Sequence, residues 1–266
     1  MTKIENAMMK DYTSFKVGGP ADMLVLVESE EELSEAMKMP RAMLLGNGSN
    51  TLFSDAGYRG TVVKLGKEFM KIEQDGNSII AGAAVLLPAL SRYALERGLA
   101  GLEFACGIPG SVGGATYMNA GAYDHSLSEL FDDSEGFGYR KSPYMENGKY
   151  ITKVKFNLQP DEKQAIQQRM TDYTQRRTAK QPLSYPSAGS FFKRPEGYFA
   201  GKLIQDAGLK GFSIGGAQVS ELHAGFIINT GNAAASDILE LMNYVQEKVM
   251  DCFGVKLEPE VRIIAE

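Results

Sequence analysis

Gly107-Ile-Pro-Gly-Ser-Val-Gly-Gly-Ala-Thr-Tyr-Met-Asn-Ala-Gly-Ala-Tyr123 holds five glycines and a proline and carries no charge. A stretch this apolar would ordinarily be core, yet glycine costs about 0.5–1 kcal/mol against alanine inside a helix or strand. The combination suits backbone that comes close to a bound molecule and offers N–H groups with no side chain in the way. A pyrophosphate is the usual occupant of such a nest. A plain surface turn fits less well, because it would expose Ile108, Val112, Tyr117 and Met118.

A second segment repeats the message. Leu44-Leu45-Gly46-Asn47-Gly48-Ser49-Asn50 is an apolar run that stops in a glycine loop. Strand followed by glycine loop is the layout of a phosphate-binding loop; a hairpin turn is the ordinary alternative. The Rossmann fingerprint is absent, since no third glycine opens a helix and Leu52-Phe53-Ser54-Asp55 does not read as one. Two such loops in one chain suit a dinucleotide, whose phosphates and sugars need more than one support.

Composition narrows the function classes. The 266 residues allow two or three modest domains, and 44% hydrophobic with 23% charged residues is ordinary for a soluble globular protein. A net charge of −5 gives no electrostatic case for nucleic acid or an anionic membrane. Residues 1–15 lack the apolar centre of a signal peptide. No run approaches the ~18 apolar residues that span a bilayer. Cys106 and Cys252, with only His125 and His223 beside them, give no metal-ligand spacing, so no metal is expected. A reducing cytoplasm is the expected compartment.

Along the chain, residues 22–27, 42–45, 60–65, 78–81, 151–158, 226–228 and 261–264 read as strands. Ser29 with Glu32 forms a capping-box signature for a helix carrying Leu33, Ala36 and Met37. A helix is expected from Pro88 through Arg97, stopped by Gly98, and a polar one over 161–177. Ser236 is the expected cap of a last helix whose apolar stripe runs from Ile238 to Phe253, with Gly254 as its stop. Strands and helices without strict βαβ alternation predict an α+β fold. Handovers between domains are expected near Pro160/Asp161 and over 181–186.

Three further pieces could carry chemistry. Gly189-Ser190-Phe-Phe-Lys193 presents a serine after glycine, but two histidines and no Gly-x-Ser-x-Gly elbow argue against a hydrolase triad, and a lone serine is ordinarily a cap or turn. Tyr139-Arg140 sits in a glycine context that suits either a surface turn or a carboxylate or phosphate clamp. Leu257-Glu-Pro-Glu260 puts two carboxylates around a proline before the last strand, which by itself is a solvated strand end.

The order of the pieces adds more than any of them alone. Thr13-Ser-Phe-Lys-Val-Gly-Gly-Pro-Ala-Asp22, Leu45–Asn50, Gly107–Gly114, Tyr139-Arg140, Gly189–Lys193 and Leu257–Glu260, in that order over nearly the whole chain, resemble the UDP-N-acetylenolpyruvoylglucosamine reductases. These are flavoenzymes of peptidoglycan precursor synthesis, and the chain is similar to their shorter, second type.

The resemblance implies an FAD-binding fold of the vanillyl-alcohol-oxidase (PCMH) type in two subdomains, 1–68 and 69–160, with a C-terminal α+β substrate-binding domain over 161–266. It implies non-covalent FAD held by Gly46, Asn47, Gly48, Ser49 and Asn50 with Pro109, Gly110, Ser111, Gly113, Gly114 and Asn119. NADPH would reduce the flavin and leave, and the enolpyruvyl ether of UDP-N-acetylglucosamine would then be reduced to UDP-N-acetylmuramate. Ser190 matches the proton donor, and Arg140 and Glu260 match the pair around the substrate carboxylate. Glu260 helps only if protonated or within a proton relay, and burial beside the flavin would favour that. Tyr123, Arg177, Lys180 and Lys193 fall where they could grip the substrate's diphosphate or carboxylate. Partners are then small molecules alone, and a monomer is expected.

Two departures stand out: residues 124–137 are shorter than the family's usual insertion, and the first helix reaches Pro40 early. Two other readings are an oxidase of the same fold, which would have no use for the Ser190/Glu260 pair, and a flavin- or nucleotide-binding module without turnover. Loss of Ser190, Arg140 or Glu260 would favour the second, and all three are present.

Overall fold

The computed structural model describes residues 1–265. Its six α-helices are α1 (Glu30–Ala36), α2 (Leu87–Glu96), α3 (Val112–Tyr117), α4 (Lys163–Lys180), α5 (Ala200–Asp206) and α6 (Ala235–Phe253). Strands and helices mix as an α+β fold requires. The strands Thr2–Met8, Pro20–Val27, Tyr58–Leu65 and Met43–Leu44 form one sheet in that order. Lys153–Asn157, Ser78–Gly82 and Ile72–Asp75 form an antiparallel meander, with Lys153 and Lys155 exposed and Phe156 buried by the pleat. A further antiparallel sheet orders Ser187–Ser190, Phe226–Asn229, Ala217–Val219 and Ser213–Ile214.

By its contacts the chain divides into two compact units, each drawn from separate stretches. The first comprises Met1–Ile4, Leu24–Asn47 and Thr61–Ala179. Its core gathers Ile79, Leu87, Leu90, Leu102, Val112 and Phe156. The second comprises Glu5–Met23, Gly48–Gly60 and Lys180–Glu266. Its core centres on Phe15, Leu52 and Phe191, with Ile238, Leu241, Val245 and Val249 supplied by the buried stripe of α6.

Local signals explain several boundaries. Ser29 Oγ accepts the Glu32 N–H at 3.2 Å, as the capping signature predicts, while the Glu32 carboxylate reaches back to the Glu28 N–H at 2.8 Å. The helix α2 starts at Leu87, ahead of Pro88, and ends before Gly98. The Gly254 N–H closes α6 on the Met250 carbonyl at 2.8 Å. The short helix α3 lies inside the glycine stretch, where the glycine content hides it from propensity; Ser111 Oγ faces the Gly114 N–H at 3.4 Å as its cap.

The cap expected at Ser236 is overturned. The helix α6 begins at Ala235, and its N-cap, Ala234, has no side-chain acceptor. Carboxylates serve instead: Asp55 takes the N–H groups of Ala235 at 2.7 Å and Ser236 at 2.9 Å. Asp237 takes those of Ala234 and Gly216, each at 3.0 Å. A capping acceptor 180 positions away leaves no local trace.

Those helix N–H donors, outweighing the effect of partial burial, hold the Asp55 carboxyl below its ordinary range. A folded-state value below the unfolded one contributes stability above the unfolded value, near 3.9, and loses it as pH falls through the folded value. Asp55→Asn is therefore expected to destabilise the protein by about 1 kcal/mol at pH 7, the worth of a carboxylate charge at a helix N-terminus. Urea titrations of both proteins should show that difference shrinking as the pH is taken below 4. A difference independent of pH would remove the carboxylate from the cap.

Candidate active site

The first glycine loop follows from strand register. Met43 and Leu44 pair in parallel with Val62 and Val63, and the Leu45 N–H reaches the Val63 carbonyl at 2.8 Å. The chain then leaves the sheet at Gly46. A Cβ there would lie 2.7 Å from Ser111 Oγ and 3.4 Å from the Gly114 Cα, so the two glycine segments meet backbone to backbone. The Asn47 side-chain amide ties them by donating to the Pro109 carbonyl at 2.6 Å. Gly48 has φ +66°, and a Cβ on it would come within 2.2 Å of the Tyr12 carbonyl oxygen. No other residue fits there.

The N–H groups of Gly46, Asn47, Gly48, Ser49 and Asn50 find no protein acceptor among the described residues. The second segment differs in part. Its Val112 N–H goes to Val85 O at 2.7 Å and its Gly113 N–H to Ala83 O at 2.9 Å. Gly114 faces the Ser111 cap. Gly110 and Ser111, both buried, likewise have no acceptor for their N–H groups among the described residues, so donors remain on both segments. The Thr116 hydroxyl is buried and has no partner among the described residues. A row of unclaimed N–H groups and an orphaned hydroxyl fit a diphosphate-bearing cofactor.

Asn119 is buried with φ +42°, a conformation asparagine tolerates better than most residues. Its amide donates to Ser128 Oγ at 3.0 Å and Gly138 O at 2.9 Å, and its carbonyl oxygen accepts the Ser128 N–H at 3.0 Å. Those bonds hold the tight turn in which Gly138 and Lys141 exchange two 3.1 Å hydrogen bonds, with Tyr139 and Arg140 at its tip. Arg140 has φ +53°, an uncommon conformation for a residue with a side chain. Its guanidinium lies 3.5 Å from Asn119 O and 3.3 Å from Gly121 O, contacts that orient the fork. The Asn119 side chain therefore supports the arginine turn.

Tyr123 stacks on Tyr173 of α4, ring centroids 4.4 Å apart, and its hydroxyl donates to the Tyr173 carbonyl at 2.9 Å. Burial pushes the phenol up, against the pull of nearby Arg177. Arg177 lies over Gly107: a Cβ on that glycine would come 2.7 Å from the arginine Cδ. Burial lowers the Arg177 guanidinium from its ordinary value. Lys180 is exposed at the end of α4. Phe104 stacks on His125, which pairs with Glu129 at 3.1 Å.

In the second unit, Phe191 is the anchor. Its ring is fully buried against Phe15 and Phe192, at centroid distances of 6.3 and 5.2 Å. Its N–H donates to Gly225 O and its carbonyl accepts the Glu260 N–H, both at 2.8 Å. Ser190, one residue earlier, is thereby held exposed at a strand end beside the Glu260 backbone. The Lys193 N–H donates to Glu258 O at 2.8 Å, and its ammonium pairs with the Glu258 carboxylate at 3.4 Å. Asn50 extends the chain of contacts by donating its amide to Glu260 O at 3.0 Å. Ser14 Oγ holds Ser187 O at 2.7 Å, and the buried Asn229 amide holds Phe15 O at 3.2 Å.

Sequence reasoning missed Ser14, Asn229 and Lys64 as supports. The Lys64 ammonium donates to Gly46 O at 2.6 Å, and burial pushes it down to about 8. A lysine closing a run of valines was its only trace.

Residues 21–134 match the FAD binding domain family, and residues 181–264 match the C-terminal domain of UDP-N-acetylenolpyruvoylglucosamine reductase. The chain is 49% identical to the UDP-N-acetylenolpyruvoylglucosamine reductase of Clostridium beijerinckii, over 98% of this chain and 92% of that one. It is 46% identical to that of Alkaliphilus oremlandii, over 97% and 92%. The crystal structure of the Thermus caldophilus reductase superposes with a TM-score of 0.86 at 39% identity, covering 98% of each chain. Identity at this level over nearly the full length, with both domain matches in order, shows that the chain belongs to the UDP-N-acetylenolpyruvoylglucosamine reductase family and is a flavin-dependent oxidoreductase.

Proposed function

We propose that this protein reduces UDP-N-acetylglucosamine enolpyruvate to UDP-N-acetylmuramate with FAD as its cofactor, in peptidoglycan precursor synthesis. NADPH as reductant, a cytoplasmic location and a monomeric state belong to the same proposal. So do two flavin-binding subdomains over 1–68 and 69–160 and a substrate domain over 161–266; the matches to 21–134 and 181–264 support a flavin-binding part followed by a C-terminal one. No helix among the described residues is long and apolar enough to cross a membrane. The observation that carries the reading is the pinning of Ser190 and Glu260 to either side of Phe191 by main-chain hydrogen bonds.

The Gly46–Asn50 loop and the segment from Pro109 to Gly114, which Asn47 ties together, would hold the cofactor's diphosphate on their unclaimed N–H groups, with Asn119 also among the cofactor's contacts. FAD, when bound, supplies hydride to the methylene carbon of the enol ether. Arg140 would grip the substrate carboxylate with its planar fork and stabilise the enolate charge that builds there, an interaction worth most in the transition state. Ser190 Oγ would then deliver its proton to the carbon bearing the ether oxygen, and Glu260 would serve the proton relay. Tyr123, Arg177, Lys180 and Lys193 would grip the diphosphate or carboxylate of the substrate. For Tyr123 to do so its hydroxyl would turn from the Tyr173 carbonyl to the substrate's oxygens.

Non-covalent FAD predicts a yellow protein whose flavin appears in the supernatant after acid precipitation. Flavin retained in the pellet, or FMN in its place, would contradict the assignment.

The two half-reactions give the sharper test. Reduction of the flavin by NADPH needs no proton donor to carbon, whereas reduction of the enol ether does. In stopped flow, Ser190→Ala should be reduced by NADPH at close to the wild-type rate. Its reoxidation by the enol ether should slow about 100- to 10,000-fold, the usual contribution of a general acid. Equal slowing of both halves would make Ser190 a pocket-shaping residue, and no slowing would move the donor to another group.

A further inference from the structure

Lys64 follows Val62 and Val63, both fully buried, and the strand register delivers it beside Gly46. Its ammonium is part-buried, donates to Gly46 O at 2.6 Å and pairs with no carboxylate among the described residues. A charge so placed is costly, and an apolar side chain of similar size would serve stability at least as well. The chain has no cis peptide bond among the described residues. In a trans peptide the C=O and the following N–H point to opposite sides. The contact that draws the Gly46 carbonyl toward Lys64 therefore turns the Asn47 N–H the other way, and that N–H has no protein acceptor.

We propose that Lys64 is a positioning residue of the flavin site, locking the Gly46–Asn47 peptide so that the Asn47 N–H is offered to the cofactor's diphosphate, with a positive charge set behind the loop. This rests on the reading that the Gly46–Asn50 loop binds that diphosphate. The lock leaves the chemistry at the substrate to other residues; its effect is on how tightly the diphosphate is held.

The test uses full-length holoenzyme and follows FAD release by recovery of free-flavin fluorescence on dilution, with ADP and adenosine as competitors. Wild type should yield FAD to ADP far more readily than to adenosine. Lys64→Met should weaken FAD and ADP alike by roughly 10- to 100-fold, the range for a charge-assisted hydrogen bond. Its affinity for adenosine and the visible spectrum of its bound flavin should not change. Lys64→Gln keeps a donor without the charge and should fall between the two; it decides the matter by the same readouts if the methionine variant does not fold. Unchanged FAD and ADP affinity in the variants, with ADP still preferred over adenosine, would overturn the role of Lys64 and leave the loop reading standing. Equal weakening of adenosine, or a shifted flavin spectrum, would reduce Lys64 to general packing and overturn the proposal. A wild type that does not distinguish ADP from adenosine would sink the loop reading and this inference with it.

Discussion

The hydrogen bond between the Glu260 N–H and the Phe191 carbonyl, 2.8 Å long, is the constraint on which the placement of Ser190 and Glu260, and with it the proposed chemistry, depends. It acts together with a ring that has nowhere else to go. Phe191 is fully buried, so its backbone cannot shift without opening the core around Phe15 and Leu52. Ser190 and Glu260 inherit that rigidity from a neighbour that takes no part in chemistry. Asn50 adds a third strut by holding the Glu260 carbonyl, so the end of the first glycine loop and the acid are fixed to one another. Catalytic groups gain from being held close to their working positions before the substrate arrives.

The first unit solves a different problem, the disposal of backbone polarity. Buried N–H groups are nearly always paired. The segment from Val112 to Gly114 obeys that rule through Val85, Ala83 and Ser111. The loop from Gly46 to Asn50, in which only Gly48 is buried, leaves its N–H groups without a protein acceptor among the described residues. The second segment is thus tied in part to its own scaffold, while Gly110 and Ser111 within it keep N–H groups without a protein acceptor among the described residues, as the first loop does. Asn119 is tied in the same way one step further out, since its side chain is occupied in shaping the Tyr139-Arg140 turn.

Much of this was legible in the sequence where the signal is local. The Ser29 cap, the apolar stripe of α6, the stop at Gly254 and the alternation around Phe156 all follow from short-range pattern, and the structure carries them. The ordered motifs picked out the family. What stayed hidden depends on partners far along the chain. Asp55 caps a helix 180 positions away, so Ser236 looked like the better candidate. Lys64 reads as an ordinary strand lysine until the parallel register sets it beside Gly46. The contact-based units interleave three stretches each, which no linear reading of linkers could reveal.

That interleaving bears on how the chain is born. The Ser14–Ser187, Phe15–Asn229 and Asp55–Ala235 contacts close loops of 173, 214 and 180 residues. Such closures come late, because chain entropy must be surrendered before the contacts return anything. During synthesis the Phe15 ring leaves the ribosome long before the sheet that buries it exists. The stretches Glu5–Met23 and Gly48–Gly60 must then wait, with apolar side chains uncovered, for the last third of the polypeptide. The unit that carries Ser190 and Glu260 is thus the one whose assembly the translating cell must shield the longest.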